Sequence, residues 1–331
     1  MYKAVIKKLL EKKDLETTEI DFLFTSLMEN KLEQTQAAAL LTALAAKGFS
    51  ALELSGAAKN LMSFAKKFSF PDAIDNCGTG GSGLLRFNVS TTAAFVLAAG
   101  GVRVAKHGNR GMGGRVGSFD ILESLGVPFA LDLEQTKKTL EENNLVFLFA
   151  PSFHPAMRHV GPIRKELGFK TIFNVLGPLL NPAQVDNQII GVSNPEDMEK
   201  MAEALISLGR KKFMLFFGDG LDEITLTGET KVIEYQGDEA VKYTLKPEDF
   251  GLEKVNFDKI AGGGLEENTE KLEKILKGKD ISPLSDMVAI NAGAGFYLMG
   301  IAEDILAGFS RAKEIIRSGE AWQKLLEMKS L

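Results

Sequence analysis

The sequence contains a single cysteine, Cys77, so an internal disulfide framework is excluded and a reducing, cytoplasmic location is expected. No apolar run reaches the roughly 18 residues that a membrane helix needs. The N-terminal segment MYKAVIKKLLEKKD is charged throughout, unlike a secretion signal. The formal net charge of −5 argues against general binding to nucleic acids or membrane surfaces. We therefore expect a cytoplasmic globular protein with no nucleic-acid and no membrane partner.

Acidic residues are missing from one long stretch of the chain. None lies between Asp75 and Asp120, although 44 acids in 331 residues would place roughly six there. The stretch is rich in glycine, and we interpret it as an anion-binding segment. Its positively charged residues, together with one histidine, are Arg86, Arg103, Lys106, His107, Arg110 and Arg115.

The first 68 residues have helical patterns only. Segment 37–46 is apolar nearly all round, as in a buried helix, and the capping box from Ser50 to Glu53 predicts where the next helix begins. We interpret Phe70-Pro71 as a hinge.

From Ile74 onward, short apolar strands alternate with helices, which predicts an α/β domain with a parallel or mixed sheet. We interpret the glycine-rich segment 261–264 as a surface loop. The predicted strands are 74–77, 102–106, 145–150, 189–192, 213–217 and 231–235. The predicted helices are 90–99, 118–125, 133–143, 154–167, 197–208 and 302–317.

A glycine-rich motif at 78–83, GTGGSG, follows the first predicted strand. Its glycines allow a tight turn that brings backbone N–H groups close to an anion, although many such loops are only turns. The apolar helix that follows has Ser90 and Thr91 at its start, where either could cap it. A helix N-terminus favours phosphate, so the motif and the helix together predict a phosphate site.

Two further segments carry groups suited to a polar organic substrate. Lys106-His107-Gly108-Asn109 ends a predicted strand, where ligands of open α/β sheets bind. Arg164 precedes a rigid Gly-Pro and Asn-Pro stretch, and arginine recognises a carboxylate through two parallel hydrogen bonds. The alternative for Arg164 is a structural salt bridge, for example to Glu166.

A pair of adjacent carboxylates, Asp222 and Glu223, follows the apolar strand at 213–217. Magnesium in proteins favours one or two carboxylates together with phosphate oxygens. The pair therefore indicates a magnesium site, and a solvated turn is the alternative.

Taken together, these segments resemble the anthranilate phosphoribosyltransferase family over essentially the whole chain. The motifs GTGG, FNVST, KHGN, RKELG, FNVLGPLLNP and GLDE occur in that order. The resemblance implies a small all-helical domain, residues 1–70, joined in space by a segment near 160–185. This domain is hinged to a larger α/β domain, residues 71–331, with a central mixed sheet of the nucleoside-phosphorylase and phosphoribosyltransferase type.

The resemblance also implies an activity: transfer of a phosphoribosyl group from phosphoribosyl pyrophosphate to anthranilate, with Mg²⁺ as cofactor, by a homodimer formed through the helical domain. No catalytic acid or base is assigned, because the aromatic amine is already neutral at pH 7. By matching positions, the donor site would contain Gly78, Thr79, Gly80, Gly81, Ser82, Asn88, Ser90, Thr91, Lys106 and Ser118. The acceptor site would contain Gly78, His107, Asn109, Arg164 and Pro178. The metal would be held by Ser90, Asp222 and Glu223.

The chain departs from the family pattern in the donor region. The family usually has aspartate where this chain has Ser82 and threonine where it has Arg86, and segment 111–116 resembles the glycine-rich loop of pyrimidine nucleoside phosphorylases. We therefore expect a less steep dependence on magnesium. The alternatives are a paralogous enzyme, phosphoribosyltransferase or nucleoside-phosphorylase-like, with another aromatic or nitrogenous acceptor, and a nucleic-acid-binding relative. The intact KHGN motif, Arg164 and the carboxylate pair argue against the latter.

Overall fold

The computed structural model describes residues 1–80, 86–111 and 116–331. Its N-terminal part is a bundle of four helices, and Ser50 begins the fourth of them, as the capping box predicts. The Ser50 hydroxyl accepts a hydrogen bond from the Glu53 N–H at 3.3 Å, and the Ser50 N–H donates to the Glu53 carboxylate at 2.8 Å. The helices are α1 (Tyr2–Leu10), α2 (Thr17–Met28), α3 (Gln34–Lys47) and α4 (Ala51–Ser63).

The larger part is built on one mixed sheet of seven strands in the order β3-β2-β1-β4-β5-β6-β7. The first five strands in this order are parallel, and β6 and β7 add on as antiparallel strands. The expected mixed sheet and helical domain are confirmed. The strands are β1 (Ile74–Asp75), β2 (Val104–Gly108), β3 (Leu145–Phe149), β4 (Asn187–Gly191), β5 (Lys212–Gly218), β6 (Thr230–Tyr235) and β7 (Ala240–Leu245).

Eleven α-helices follow the bundle within the described residues, and short 3₁₀ turns link some of them. The long helix predicted at 154–167 is wrong, because a 3₁₀ turn (Pro155–His159) precedes a short helix whose N-terminus holds Pro162. The helices are α5 (Val89–Ala99), α6 (Ser118–Leu125), α7 (Leu133–Asn143), α8 (Ala150–Phe153), α9 (Gly161–Leu167), α10 (Phe173–Leu176), α11 (Met198–Ser207), α12 (Leu265–Leu276), α13 (Pro283–Leu298), α14 (Ile305–Ser318) and α15 (Glu320–Lys329).

The two faces of the sheet bury different hydrophobic clusters, as the alternation of side chains along a strand requires. Ile189 packs with α5 and α13 on one face, whereas Ile190 packs on the other face in the cluster that contains the helical bundle. Val160, Phe173 and Leu176 belong to this second cluster. The segment that contains Arg164 is therefore packed between the sheet and the bundle. In the described ranges no helix is long and apolar enough to cross a membrane.

Candidate active site

The glycine turn after β1 lies against the carboxylate of Asp222. The Thr79 N–H donates to the Gly191 carbonyl at 2.8 Å, which extends the pairing of β1 with β4, and the Gly80 N–H donates to Asp222 Oδ2 at 2.9 Å. A Cβ at Gly78 would lie 2.6 Å from the same Asp222 oxygen, so only glycine fits there. The close approach places backbone N–H groups and a carboxylate at one edge of the sheet. The predicted donor residues Gly81 and Ser82 lie outside the described residues.

Helix α5 begins beside this turn, but its capping differs from the sequence expectation. The helix starts at Val89, Asn88 is the N-cap residue, and its side chain makes no capping hydrogen bond. A capping role for Ser90 or Thr91 is therefore wrong, because both lie inside the first turn. The Ser90 hydroxyl instead accepts from the Lys106 ammonium at 3.2 Å, and the Thr91 side chain is buried.

Lys106 is only 2% exposed, although it carries a charge. Its ammonium group also donates to the Asn76 carbonyl at 2.8 Å, and burial lowers its pKa. Lys106 lies on β2, which pairs in parallel with β1, and its ammonium group is directed from the sheet towards the start of α5. Lys106 therefore contributes positive charge at the base of the site while holding Asn76 and Ser90 together.

The three residues expected to hold a metal line one small cavity. Ser90, Asp222 and Glu223 surround a volume of about 10 Å³, roughly the space of one water-sized ion. Asp222 is 4% exposed, so the solvated-turn alternative is wrong. Burial raises the pKa of Glu223 to about 7, against the opposing charges of Arg86 and Lys106.

This oxygen set fits magnesium. No three His, Cys, Asp or Glu side chains form a metal cluster in the described residues, which suits an ion that takes one or two carboxylates and completes its shell with water and phosphate oxygens. Asp222 is also ion-paired with the guanidinium of Arg86. Arg86 therefore points at the carboxylate pair and not into solvent.

Segment 261–264 is not the plain surface loop that the sequence suggested. Ala261 forms an antiparallel bridge with Arg86, and a Cβ at Gly262 would lie 2.2 Å from the Arg86 carbonyl. Asn268 donates to that carbonyl at 3.1 Å and accepts from the Asn88 N–H at 3.1 Å. The segment thus supports the chain that leads into α5, and sequence reasoning missed both Gly262 and Asn268 because only the fold brings them here.

A second group of residues gathers around the end of β2. The His107 ring nitrogen Nδ1 lies 3.2 Å from the Gly177 carbonyl, and since a carbonyl can only accept, Nδ1 carries the hydrogen. Burial and the neighbouring His154 lower the His107 pKa to about 3. Nε2 of His107 is buried without a hydrogen-bond partner in the described part of the chain. His107 thus presents a neutral acceptor nitrogen.

Arg164, on α9, is half-buried with its guanidinium carbon 5.3 Å from the centre of the Phe173 ring. Burial lowers its pKa, and among the residues described no carboxylate pairs with it. The salt-bridge alternative is wrong, because Glu166 instead accepts from the Gln34 side chain at 2.8 Å. A half-buried guanidinium that pairs with no carboxylate of the described residues is suited to binding an anionic ligand.

The remaining predicted residues lie nearby or are engaged elsewhere. Pro178 is buried, and its carbonyl accepts from Gln188 at 2.7 Å. Asn109 is exposed, and its backbone carbonyl accepts from the Ser118 hydroxyl at 3.3 Å. Arg110 forms two hydrogen bonds with Glu123, at 2.6 and 2.8 Å, so its charge is neutralised outside the site. Arg110 therefore adds little net positive charge to the segment interpreted as anion-binding.

Comparisons with known proteins show which family the chain matches. Residues 70–322 match the α/β domain, and residues 3–65 the helical bundle domain, of a glycosyl transferase family. The chain is 43% identical to an anthranilate phosphoribosyltransferase of Acetivibrio thermocellus, covering 99% of this chain and 95% of that one. It is similar to the crystal structure of the Thermus thermophilus enzyme, with a TM-score of 0.92, 41% identity and 98% of each chain covered. It is also similar to the Saccharomyces cerevisiae enzyme in complex with PRPP and Mg, with a TM-score of 0.88, 31% identity, and 99% and 98% of the chains covered.

Proposed function

The chain belongs to the anthranilate phosphoribosyltransferases of this glycosyl transferase family, and from that membership we propose how its residues divide the reaction between them. The enzyme transfers the phosphoribosyl group of phosphoribosyl pyrophosphate to anthranilate, a step of tryptophan biosynthesis that releases pyrophosphate, and Mg²⁺ is its cofactor. The observation that carries the proposal is the convergence of the glycine turn, the start of α5 and the Asp222-Glu223 pair on one cavity.

We assign the donor, phosphoribosyl pyrophosphate, to the region at the carboxyl ends of β1 and β4, beside the start of α5. In the described part of the glycine turn, the N–H groups of Thr79 and Gly80 already donate within the protein. The N-terminus of α5 would therefore bind the phosphates, and Lys106 adds a fixed positive charge beneath it. Ser90, Asp222 and Glu223 would hold Mg²⁺, which when bound supplies charge stabilisation to the departing pyrophosphate. Thr79 supports the turn, since its hydroxyl accepts from the Ser193 N–H at 3.0 Å.

We assign anthranilate to the space between the end of β2 and α9. Arg164 would pair with the carboxylate of the acceptor, and Nε2 of His107 would accept a hydrogen bond from its amine. Because the His107 pKa is about 3, the ring stays neutral at pH 7 and orients the amine lone pair instead of competing for it as a cation. The anthranilate site would be completed by Asn109, Pro178 and Gly78, which would form its remaining walls.

We also propose a cytoplasmic homodimer formed through the helical domain, with residues 1–70 and the segment near 160–185 as one domain and residues 71–331 as the other. The shared hydrophobic cluster of the bundle with Val160 and Phe173 supports this division. Leu10, 71% exposed at the end of α1, supports an apolar contact on the bundle. Light scattering of the parent and of Leu10→Lys measures the assembly, and a monomeric parent would contradict it.

The acceptor assignment is tested by measuring pyrophosphate release with Mg²⁺, the donor and a panel of acceptors. We expect release with anthranilate, little with aniline, which lacks the carboxylate, and little with para-aminobenzoate, which moves it across the ring. A parallel assay with thymidine and phosphate measures nucleoside phosphorolysis. Turnover in that assay but not with anthranilate would overturn the proposal in favour of a nucleoside-phosphorylase-like enzyme.

A further inference from the structure

The side chain of Asn76 has a buried oxygen that the described residues leave without a hydrogen-bond partner. Asn76 is 5% exposed, and its Oδ1 accepts no hydrogen bond from the described residues. The amide orientation is fixed, because the Nδ2 group lies 2.7 Å from the Ser90 carbonyl, which can only accept. Oδ1 therefore occupies the other end of the amide. A buried acceptor left unpaired costs stability and calls for an explanation.

The position of Asn76 supplies that explanation. Asn76 lines the same small cavity as Ser90, Asp222 and Glu223. The Lys106 ammonium is directed to the Asn76 backbone carbonyl at 2.8 Å and to the Ser90 hydroxyl at 3.2 Å, and not to the side-chain oxygen. Asn76 thus brings a buried acceptor, unpaired among the described residues, to the lining of a cavity that has room for one ion.

We propose that the Asn76 side-chain oxygen is a further ligand of the divalent cation in this cavity, beside Ser90, Asp222 and Glu223. Asparagine carbonyl oxygens are suitable ligands for hard cations such as Mg²⁺ and Mn²⁺. This inference rests on the proposed location of the metal. It assigns to Asn76 a role that the resemblance did not include. The same amide holds Ser90, so the residue both binds the cation and positions a second ligand.

The test is a titration of the full-length protein with Mn²⁺ alone, in which electron paramagnetic resonance measures the free ion. The variants are Asn76→Ala and Asn76→Asp, and both lose the hydrogen bond to the Ser90 carbonyl. Asn76→Asp keeps a side-chain oxygen at this position, whereas Asn76→Ala does not. The difference between their Mn²⁺ affinities therefore measures the contribution of that oxygen. We expect Asn76→Ala to weaken Mn²⁺ binding roughly tenfold and Asn76→Asp to bind Mn²⁺ at least as tightly as the parent, because a carboxylate replaces a neutral ligand.

The chain offers a matched control in Asn60 of the helical bundle. Its Nδ2 donates to the Thr25 hydroxyl at 2.8 Å, and its Oδ1 is also buried without a partner in the described ranges. Asn60→Ala removes the same chemical group far from the cavity in sequence and should leave Mn²⁺ binding unchanged. Thermal unfolding followed by circular dichroism shows that each variant is folded.

Two results would overturn the inference. Equal Mn²⁺ affinity of the parent and Asn76→Ala would leave the amide with a structural role only. Weaker binding by Asn76→Asp than by Asn76→Ala would mean that no ligand oxygen is used at this position. Either result leaves the proposed function intact if the parent still transfers the phosphoribosyl group to anthranilate. Loss of that transfer in a parent that binds Mn²⁺ would instead reject the function and leave the cation ligand standing.

Discussion

Replacement of Arg164 by alanine should raise the KM for anthranilate and leave the fold intact. A charge-assisted hydrogen bond contributes about 1.5–3 kcal/mol, so its loss predicts roughly a ten- to a hundredfold increase in KM. The described residues include no carboxylate paired with Arg164, so the substitution leaves no buried anion without its counter-ion. Loss of the contact with Phe173 predicts destabilisation of about 0.5–1 kcal/mol.

The assay follows the decrease of anthranilate fluorescence at saturating donor and varied anthranilate. Arg158→Ala is the matched control, because Arg158 is an exposed arginine in the preceding 3₁₀ turn, and its Nε donates to Nε2 of the neighbouring His159 at 3.4 Å. We expect its KM to equal that of the parent. Arg164→Lys keeps the charge but loses the bidentate hydrogen bonding of arginine. Its KM for anthranilate should lie between those of the parent and the alanine variant.

The pattern of the two KM values decides the assignment. An unchanged KM for anthranilate with a raised KM for the donor would move Arg164 to the donor phosphates. A fall in kcat with both KM values unchanged would also refute the reasoning, since a carboxylate anchor contributes to ground-state binding as well as to the transition state.

Three further predictions concern the carboxylate edge of the site. Asp222→Asn combined with Glu223→Gln should abolish turnover while the thermal unfolding curve stays cooperative, because metal binding requires the charge; near-parent activity at saturating Mg²⁺ would remove both residues from the metal site. In metal-free buffer, Glu223→Gln alone should stabilise the protein at pH 8 by about 1–3 kcal/mol and leave it unchanged near pH 4.5. The reason is that burial raises the folded-state pKa of Glu223 to about 7, so the parent loses stability as the pH rises from the unfolded-state pKa through 7. Urea unfolding at both pH values checks this, and an equal difference at the two pH values would contradict it. Arg86→Thr should make the dependence of activity on magnesium steeper and its optimum narrower, because the charge paired with Asp222 is gone; superimposable magnesium titrations would show that this charge does not matter. The companion change Ser82→Asp, predicted to act in the same direction, lies outside the described residues.

The fold was predictable where the sequence pattern was periodic or strongly apolar. Strands β2 to β6 lie close to their predicted positions because short runs of β-branched and aromatic residues mark them. Helix α13 was missed because it is buried on nearly all sides and carries two glycines, so it shows no helical period. Strand β7 was missed because it is a largely exposed edge strand with little hydrophobic pattern.

The residue types of the site could be predicted from the sequence, but the pairs that these residues form could not. Local motifs indicate that Asp222, Arg86 and Arg110 are available, but only the fold decides that Arg86 pairs with Asp222 while Arg110 is neutralised by Glu123. The paired residues lie up to 136 positions apart in the sequence. Side-chain chemistry alone does not distinguish one pairing of opposite charges from another. The orphaned oxygen of Asn76 is likewise invisible until its neighbours are known.

The central claim is that this site joins anthranilate to the phosphoribosyl group of the donor. The most direct measurement records anthranilate fluorescence and released pyrophosphate in one reaction of the purified protein with Mg²⁺ and phosphoribosyl pyrophosphate. We predict that the fluorescence falls while one pyrophosphate is released for each anthranilate consumed, and that neither change occurs after chelation of Mg²⁺. Release of pyrophosphate at constant anthranilate fluorescence would contradict the account, because the donor would then be cleaved without transfer to this acceptor.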